Sequence, residues 1–229
     1  MPKRDASRAL EKSGWTTLVN IERHVKILRA DAKIEKAIGR NIISAALSTA
    51  ANSALMISSG DIFRRGPGHL TAGPMDSFDS RFDAFWNEYD KTGAVFGMRT
   101  SEYLAWRYGA HPFVDYRIFA LFEGENMRGY IIYFHDGGHC QIEDIIATKA
   151  GNNTSALLSS FIRFTRENSQ ADSIVIKMNR NSVNTVPLRQ FGFLRRQDSQ
   201  KFMALIPDSS SPLLSNAEKW FLTSGDKDV

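Results

Sequence analysis

The sequence predicts a mixed α/β fold built on one sheet. Two features indicate it: three strand-like segments separated by short glycine-containing turns, and a following alternation of helix, strand, helix and strand. Consecutive antiparallel strands that lead into a β-α-β crossover form a single mixed sheet with helices on both faces, in which 140–147 runs parallel to 173–178. The predicted elements are strands at 116–122, 128–134, 140–147, 173–178 and 201–206 and helices at 153–168 and 182–191.

Two further helices are predicted before the first of these strands. In 78–89 the apolar residues recur every three or four positions and give the helix one aromatic face. Thr100 can cap a second helix that reaches Tyr108, and the helix dipole favours the anionic Glu102 in its first turn. Gly192 is suited to end the helix at 182–191 in a left-handed conformation.

The first 75 residues are predicted to be an N-terminal helical appendage. Residues 31–57 have helical periodicity and indicate one long helix, kinked near Gly39. Residues 58–74 are rich in glycine and proline and indicate a linker. The uncharged stretch 41–58 is rich in Ser, Thr, Asn and Ala, so it favours a packed helix, or at most an interfacial one, over a membrane span of about 20 predominantly apolar residues.

The composition is that of a globular protein in a reducing compartment. The net charge of +4 is spread along the chain, which argues against nucleic-acid binding. Cys140 is the single cysteine, so no internal disulfide can form. Residues 1–14 are charged and lack the apolar stretch of a signal peptide. We therefore expect a cytoplasmic protein without an integral membrane segment.

Two motifs resemble a known superfamily. Residues 98–108 read MRTSEYLAWRY and are followed by His111-Pro112 and Tyr116-Arg117, and residues 220–228 read WFLTSGDKD. With the order of elements and the turn LRQFGF at 188–193, they resemble the GNAT (GCN5-related N-acetyltransferase) superfamily, and within it a group associated with bacterial cell-surface polysaccharide genes. The resemblance covers 76–229. It implies a GNAT-like fold and an acyltransferase that uses acetyl-CoA.

A short internal echo suggests a second, incomplete unit. Residues 10–15 read LEKSGW, which is similar to LRQFGF, and each is followed by a strand-like stretch. One interpretation is that residues 1–30 are the remnant of a preceding GNAT-like unit, joined by 31–75 to a GNAT-like domain at 76–229. Residues 21–28 would then lie at a sheet edge or cross to a partner, as in a homodimer or with a partner GNAT-like domain. The alternative is a simple N-terminal helix and strand packed on a single domain.

The resemblance places the cofactor loop directly before the helix at 153–168. GNAT proteins seat the pyrophosphate of acyl-CoA on that helix N-terminus, where free N–H groups and the dipole favour an anion, and bind pantetheine along the preceding strand. Lys149 stands in for the usual basic residue, but Asn152 and Thr154 replace two glycines. A helix capped by Asn153 or Thr154 without a ligand is the alternative. The expected cofactor residues are Ile145, Ile146, Ala147, Lys149, Gly151, Asn152, Asn153, Thr154, Ser155 and Asn181.

Two acidic residues on the strand 140–147 are candidate general bases. Strand alternation places Glu143 and Asp144 on opposite faces, so one carboxylate should face each side of the sheet. A carboxylate near the thioester could deprotonate an amine, directly or through water. Each residue could instead be an ordinary surface or ion-paired group.

The usual GNAT general acid is missing. Many GNAT proteins place a Tyr four residues before the glycine of the LRQFGF-like turn, and Leu188 occupies that position here. Tyr108, Tyr133 or solvent could replace it. His135, His139 and Cys140 surround a Gly-Gly turn without matching a recognised metal-ligand pattern, so we expect no metal.

The acceptor pocket is predicted at Trp106, Arg107 and Tyr108, although Trp106 could be core and Arg107 could pair with a carboxylate. The resemblance therefore leads to an N-acyltransferase acting on a small-molecule amine, such as an amino sugar. The competing hypothesis is a non-catalytic GNAT-like module whose degenerate loop no longer binds acetyl-CoA.

Overall fold

The computed structural model describes residues 4–58, 68–148, 152–206 and 212–227. Seven strands form one sheet in the order β2-β3-β4-β5-β6-β1-β7. The strands are β1 (Thr16–Ile27), β2 (Leu70–Met75), β3 (Arg117–Glu123), β4 (Asn126–Asp136), β5 (His139–Ala147), β6 (Ser173–Asn179) and β7 (Leu194–Ala204). The helices are α1 (Arg4–Lys12), α2 (Asp31–Ile38), α3 (Ile42–Ser58), α4 (Ser80–Glu88), α5 (Ser101–Leu104), α6 (Asn153–Asn168), α7 (Arg180–Thr185) and α8 (Pro212–Ser215). Short 3-10 turns occur at Leu188–Phe191, Ala217–Lys219 and Ser224–Asp226.

The mixed sheet predicted from the sequence is confirmed. β5 and β6 pair in parallel across α6, and the other described strand pairs are antiparallel. Each face of the sheet carries its own apolar core. α6 packs Leu157 and Phe161 against one face, and α4 packs Phe82 and Phe85 against the other. Burying large side chains on both faces stabilises the central strands and fixes their register.

The expectation that 21–28 lies at a sheet edge is wrong. β1 lies inside the sheet, antiparallel to β6 on one side and to β7 on the other. Ile21, Val25 and Leu28 are buried, so β1 contributes to the core. This position removes the basis for treating residues 1–30 as a remnant of a preceding unit, and residues 76–229 alone do not complete the sheet.

The similarity between residues 10–15 and 188–193 extends to their structure. The Trp15 and Phe193 amides donate to the carbonyls of Leu10 and Leu188, at 3.0 and 3.1 Å. The glycine before each aromatic residue has a positive φ, 86° at Gly14 and 74° at Gly192, and donates to the carbonyl three residues back. This is the Schellman pattern that ends a helix, and at both sites it leads into a strand. The two strands, β1 and β7, then pair with each other.

Three predicted segments that contain glycine or proline differ from the structure. Gly39, at φ 77°, divides the predicted long helix into α2 and α3. Residues 70–75 of the predicted linker form the edge strand β2, and 59–67 lie outside the described residues. The predicted helix at 182–191 is interrupted at Pro187, which cannot donate a helical hydrogen bond.

α3 packs only along a narrow polar face, on which Ser44 and Ser48 are buried, and most of its large apolar residues lie outside that face. Ile42 is 89% exposed and Ile43 67% exposed, and Leu47 and Ile57 are also exposed. None of the described helices is long and apolar enough to cross a membrane.

The helix predicted to run from Thr100 to Tyr108 changes character part-way. Thr100 caps it as expected, since its hydroxyl accepts from the Tyr103 amide at 3.3 Å. The α-helical geometry ends at Leu104, and 105–109 form a wider π-type turn. Such turns commonly occur at functional sites because they redirect side chains. Here the turn carries Arg107 and Tyr108.

Candidate functional site

β5 and β6 separate part-way along their length. Their parallel ladder pairs four residues on each strand, and it ends at Ile142 opposite Ile176. β5 continues to Ala147 and β6 continues to Asn179 without pairing with each other. A wedge therefore opens between the ends of the two strands.

The C-terminal tail, residues 220–227, covers the β6 side of this wedge. The Asn179 amide donates to the Leu222 carbonyl at 3.1 Å, and the Asn179 side chain donates to the Trp220 carbonyl at 2.7 Å. Thr223 forms an antiparallel bridge with Met178. The tail thus takes up the free edge of β6 and leaves the edge of β5 to face the wedge.

A cavity of about 410 Å³ occupies the wedge. Its lining combines the end of β5, the first turn of α6, the segment between α7 and Gly192, one tail residue and one residue that follows α4. The lining residues are Tyr89, Ile145, Ile146, Ala147, Asn152, Asn153, Thr154, Ser155, Val186, Pro187, Gln190 and Phe221.

The N-terminus of α6 is suited to bind an anion. Asn152 precedes the helix in a left-handed conformation, with φ 62° and ψ 24°, and its side chain makes no capping hydrogen bond. Asparagine tolerates this conformation better than most non-glycine residues. The N-cap is therefore Asn152 rather than Asn153 or Thr154. The helix dipole and the first-turn N–H groups favour negative charge at this point of the cavity.

Tyr89 also lines this cavity. Tyr89 follows α4 and is 8% exposed, and none of the described residues forms a hydrogen bond with its hydroxyl. Burial raises the pKa of Tyr89, so the phenol keeps its proton at neutral pH. It is a proton donor placed at the wedge.

A β-bulge overturns the predicted alternation of the two acidic residues. The register of β4 and β5 shifts between the pairs Ile132–Asp144 and Tyr133–Ile142, which leaves Glu143 as the extra residue. Ile142 and Ile145 consequently both pack in the α6-side core. Glu143 lines a pocket with Tyr108, and Asp144 bonds Tyr130, two residues of the α4-side core. Both carboxylates therefore lie on the same side of the sheet.

Asp144 is held in a buried ion network. Arg99 donates to both of its oxygens, at 2.9 and 3.1 Å, and also contacts Asp226 at 3.0 Å. The Thr223 hydroxyl donates to Asp144 Oδ1 at 2.9 Å, and the Tyr130 hydroxyl lies 3.3 Å from Oδ2. Arg99 and the two acids thus form one buried cluster that fastens the tail to β5. With both oxygens occupied, Asp144 is placed as a structural group rather than as a free base.

Glu143 lies in a separate pocket of about 220 Å³. The pocket is lined by Arg107, Tyr108, His111, Tyr116, Glu143, Ser224 and Lys227. Burial raises the pKa of Glu143 to about 7, against the opposing attraction of Lys227, Lys177 and Arg107. A carboxyl group with this pKa exchanges its proton near neutral pH, as a general base requires.

The two sequence motifs meet at this pocket. The Arg107 Nη2 donates to the Lys227 carbonyl. The Tyr108 ring packs so closely on Gly225 that a Cβ there would lie 1.9 Å from the Tyr108 hydroxyl. The glycine of the tail motif is therefore required by the tyrosine of the first motif. Trp106 points away, is 67% exposed and contacts Tyr103, so it does not line the pocket.

Solved structures of known fold resemble this architecture. A GCN5-related N-acetyltransferase from Anabaena variabilis ATCC 29413 superposes with a TM-score of 0.53 at 11% identity, over 89% of this chain and 43% of that chain. The chain has the GNAT fold. A conserved protein from Enterococcus faecalis V583, described as a probable N-acyltransferase, gives 0.52 at 11% identity over 86% of this chain and 41% of that one.

A functionally unknown conserved protein from Staphylococcus epidermidis ATCC 12228 gives a TM-score of 0.51 at 9% identity, over 89% of this chain and 66% of that chain. The chain thus spans 41 to 66% of the length of these three structures. No protein-family model matches the sequence. No curated protein matches it either.

Within the GNAT fold, the structure brings most of the predicted cofactor residues into one cavity. All three residues predicted on β5 and all four predicted from Asn152 to Ser155 line the wedge. Asn181 does not, and its side-chain amide instead donates to the carbonyl of Ala217, which precedes the tail. Lys149 and Gly151 lie outside the described residues.

Several site residues were missed from the sequence. No local pattern distinguishes these residues from core residues, and they reach the wedge from distant segments: Tyr89, Val186, Pro187, Gln190 and Phe221.

Of the two tyrosines suggested as general acids, Tyr133 packs on Phe161 of α6 and does not line the wedge, whereas Tyr108 lines the Glu143 pocket. Leu188 is buried in the core, so it leaves no polar group at the usual acid position. Within the described residues no group of three His, Cys, Asp or Glu side chains could hold a metal ion.

Proposed function

We propose that the protein is an acyl-CoA-dependent N-acyltransferase. The observation that carries this proposal is the wedge at the end of β5, where an open strand edge meets the uncapped N-terminus of α6 in one cavity. These are the two features that pantetheine and pyrophosphate require: free backbone groups along a strand and N–H groups beside a helix dipole. When bound, acyl-CoA would supply a thioester whose acyl group passes to an amine.

Acetyl-CoA fits this wedge with one obstacle. Ile145 to Ala147 would hold the pantetheine arm, and Asn152 to Ser155 would hold the pyrophosphate. The left-handed Asn152 provides the turn that a glycine provides elsewhere. Thr154 narrows the approach because its β-branched side chain lines the cavity. We therefore expect weakened rather than abolished binding.

Glu143 is the proposed base. It lies two residues before Ile145 on the same strand, roughly 7 Å along it at about 3.3 Å per residue. At about 2.8 Å per hydrogen bond, a chain of two water molecules would span such a separation. Glu143 would take the proton that the acceptor amine loses as its nitrogen bonds to the acyl carbon. Asp144 would position the tail through Arg99 instead.

Tyr89 is the proposed proton donor to the departing sulfur. Tyr89 lines the wedge, and its hydroxyl is protonated and has no hydrogen-bond partner in the described part of the chain. It would replace the acid that is missing at Leu188. Since it follows α4 rather than lying in the C-terminal half, the sequence pattern of the fold could not indicate it.

An assay of thiol release from acetyl-CoA, with a panel of primary amines, tests the proposal. Glu143→Gln should lower turnover by about 10²- to 10⁴-fold with unchanged acetyl-CoA affinity, and Tyr89→Phe should lower turnover by roughly 10²-fold. Glu125→Gln, at an exposed hairpin turn, is the matched control and should have no effect. Thiol release that is the same in Glu143→Gln as in the natural protein would reject Glu143 as the base.

A non-catalytic GNAT-like module is the second candidate. Thr154 at the mouth of α6 and the buried Leu188 favour it, because each removes a group that the usual reaction needs. For the enzyme, the motif resemblance by itself would suggest an amino sugar of cell-surface polysaccharide synthesis as acceptor, in the cytoplasm, but the charged residues of the Glu143 pocket favour another class of amine. A protein that binds no acetyl-CoA at millimolar concentration would support the module and exclude the enzyme.

A further inference from the structure

The Glu143 pocket contains opposite charges that do not pair with each other. Glu143 makes no ion pair within the described residues, although Arg107 and Lys227 line the same pocket. Both cations oppose the rise in the pKa of Glu143, but no salt bridge joins Glu143 to either of them among the described residues. The pocket therefore keeps a negative and a positive group apart, as a site for a dipolar ligand would.

Arg107 has unused hydrogen-bonding capacity. Its Nη2 donates to the Lys227 carbonyl, which fixes the side chain in the pocket wall. Its Nε is buried and has no partner among the described residues. A buried charged donor without a partner is costly, and such groups are normally completed by a water or a ligand.

His111 adds a second donor. Its Nδ1 accepts hydrogen bonds from the Phe113 and Val114 amides, at 3.3 and 3.1 Å, so that nitrogen carries no proton. The proton of the neutral ring is therefore on Nε2. Tyr108 and Tyr116 line the same pocket, and burial raises the pKa of Tyr116 to about 12, so its hydroxyl keeps its proton.

These groups determine which charges a ligand of this pocket would carry. Guanidinium presents a planar fork of N–H donors that matches a carboxylate. A doubly charged phosphate is less suited to this pocket, because Glu143 would repel it at the pH at which the base is ionised. The volume of about 220 Å³ corresponds to about seven water molecules at roughly 30 Å³ each, which is room for a small molecule.

We propose that the acceptor is an amino acid or a similar small molecule whose primary amine lies beside a carboxylate. The amine is placed at Glu143 and the carboxylate at Arg107 and His111. This inference rests on the proposed function for its chemistry, but the pocket itself is a binding site that can be tested without acyl-CoA. It also makes Arg107 the residue that determines acceptor specificity.

Equilibrium dialysis without acetyl-CoA tests the site directly. The natural protein is dialysed against the common amino acids and, separately, against their decarboxylated amines and phosphoethanolamine, and retained compounds are measured by mass spectrometry. We expect retention of at least one amino acid and at least tenfold weaker retention of its decarboxylated amine. Retention of no amino acid, equal retention of the amine, or preferential retention of phosphoethanolamine would overturn the proposal.

Variants separate recognition from folding. Arg107→Gln should abolish amino-acid retention, Arg107→Lys should restore part of it, and Arg117→Gln, on an exposed arginine paired with Asp115, should leave it unchanged. If Arg107→Gln melts earlier than the natural protein, the comparison rests on Arg107→Lys and on Tyr116→Phe, which should weaken retention modestly. An unchanged preference for the amino acid in Arg107→Gln and Arg107→Lys would reject Arg107 as its determinant.

Acetyl-CoA titration on the same samples keeps the two proposals apart. Amino-acid retention without acetyl-CoA binding would leave the pocket standing and reject the acyltransferase. Acetyl-CoA binding without amino-acid retention would reject the amino-acid site and leave the acyltransferase proposal standing.

Discussion

The wedge cavity and the Glu143 pocket adjoin along β5 but are built differently. Seven of the twelve residues that line the wedge come from two short segments, 145–147 and 152–155, and the other five come from distant segments. The Glu143 pocket is formed by charged and aromatic side chains from the π-type turn, the loop before β3, the bulge in β5 and the tail. Most of the wedge therefore depends on strand and helix geometry, whereas the whole of the Glu143 pocket depends on tertiary contacts between distant segments.

The two regions share one wall, the tail. Phe221 lines the wedge, and Ser224 and Lys227 line the Glu143 pocket. The Arg99 network holds this wall in place through Asp144 and Asp226. A change in the network should therefore affect both regions, and changes at their own residues should affect one.

Removal of Arg99 is expected to have the largest effect. Arg99 is 2% exposed, and Arg99→Met would leave the carboxylates of Asp144 and Asp226 buried without their cation. Breaking a buried ion pair in this way typically costs about 3–5 kcal/mol of unfolding free energy. Denaturant unfolding measures it, with Arg117→Met as the control, since that arginine is exposed and should cost less than about 1 kcal/mol. Similar losses in both variants would contradict the role given to the network.

Glu143 should make the protein less stable as pH rises. Burial raises its pKa from 4.5 to about 7, so between these values the folded state holds a proton that the unfolded state has released. Stability contributed by this group is therefore highest below pH 4.5 and falls as pH rises through 7, by up to about 3 kcal/mol at 1.36 kcal/mol per pKa unit.

Glu143→Gln removes that pH dependence. The variant should be more stable than the natural protein at pH 8 and equally stable at pH 4, in urea unfolding at both values. Glu125→Gln, in the exposed turn between β3 and β4, should show no difference at either pH. A stability difference that does not change with pH would show that Glu143 is not a buried acid.

Gly225→Ala tests the contact between the two motifs. The added Cβ would lie 1.9 Å from the Tyr108 hydroxyl, so one group must move, at a cost of about 1–3 kcal/mol. Removing that hydroxyl in Tyr108→Phe should recover part of the loss, and the double variant gives the coupling between them. Additive losses in thermal unfolding would show that the two residues do not meet.

Thr154→Gly should have the smallest effect, and only on the wedge. Removing the β-branched side chain should tighten acetyl-CoA binding a few-fold, while Lys149→Ala should weaken it by removing a cation. Glycine in the first turn of α6 should also cost about 0.5–1 kcal/mol of stability. Unfolding and binding measured on one sample separate the two effects, and weaker binding by Thr154→Gly would mean that Thr154 contributes to the site.

The sequence was sufficient for the parts of the fold that depend on local patterns. Thr100 and Gly192 have short-range signatures at helix ends, and the β5-α6-β6 crossover follows from the order of elements. Those same patterns located the wedge, because its residues are consecutive with the strand and helix that form it.

The remainder depends on register and long-range contacts. A bulge of one residue cannot be read from alternation, so Glu143 and Asp144 were placed on opposite faces when they share one. β1 gains its position only by pairing with β6 and β7, more than 140 residues away on the chain. Tyr89 and Tyr116 resemble core aromatic residues until the fold places their hydroxyls in cavities.

Calorimetric titration of the natural protein with acetyl-CoA tests the central claim, the wedge as a cofactor site, most directly. We predict one binding site per chain that is tightened by Thr154→Gly and unaffected by Arg107→Gln, because Arg107 belongs to the other pocket. Heat of binding that is absent in both the natural protein and Thr154→Gly would contradict the claim and leave the GNAT fold here as a scaffold.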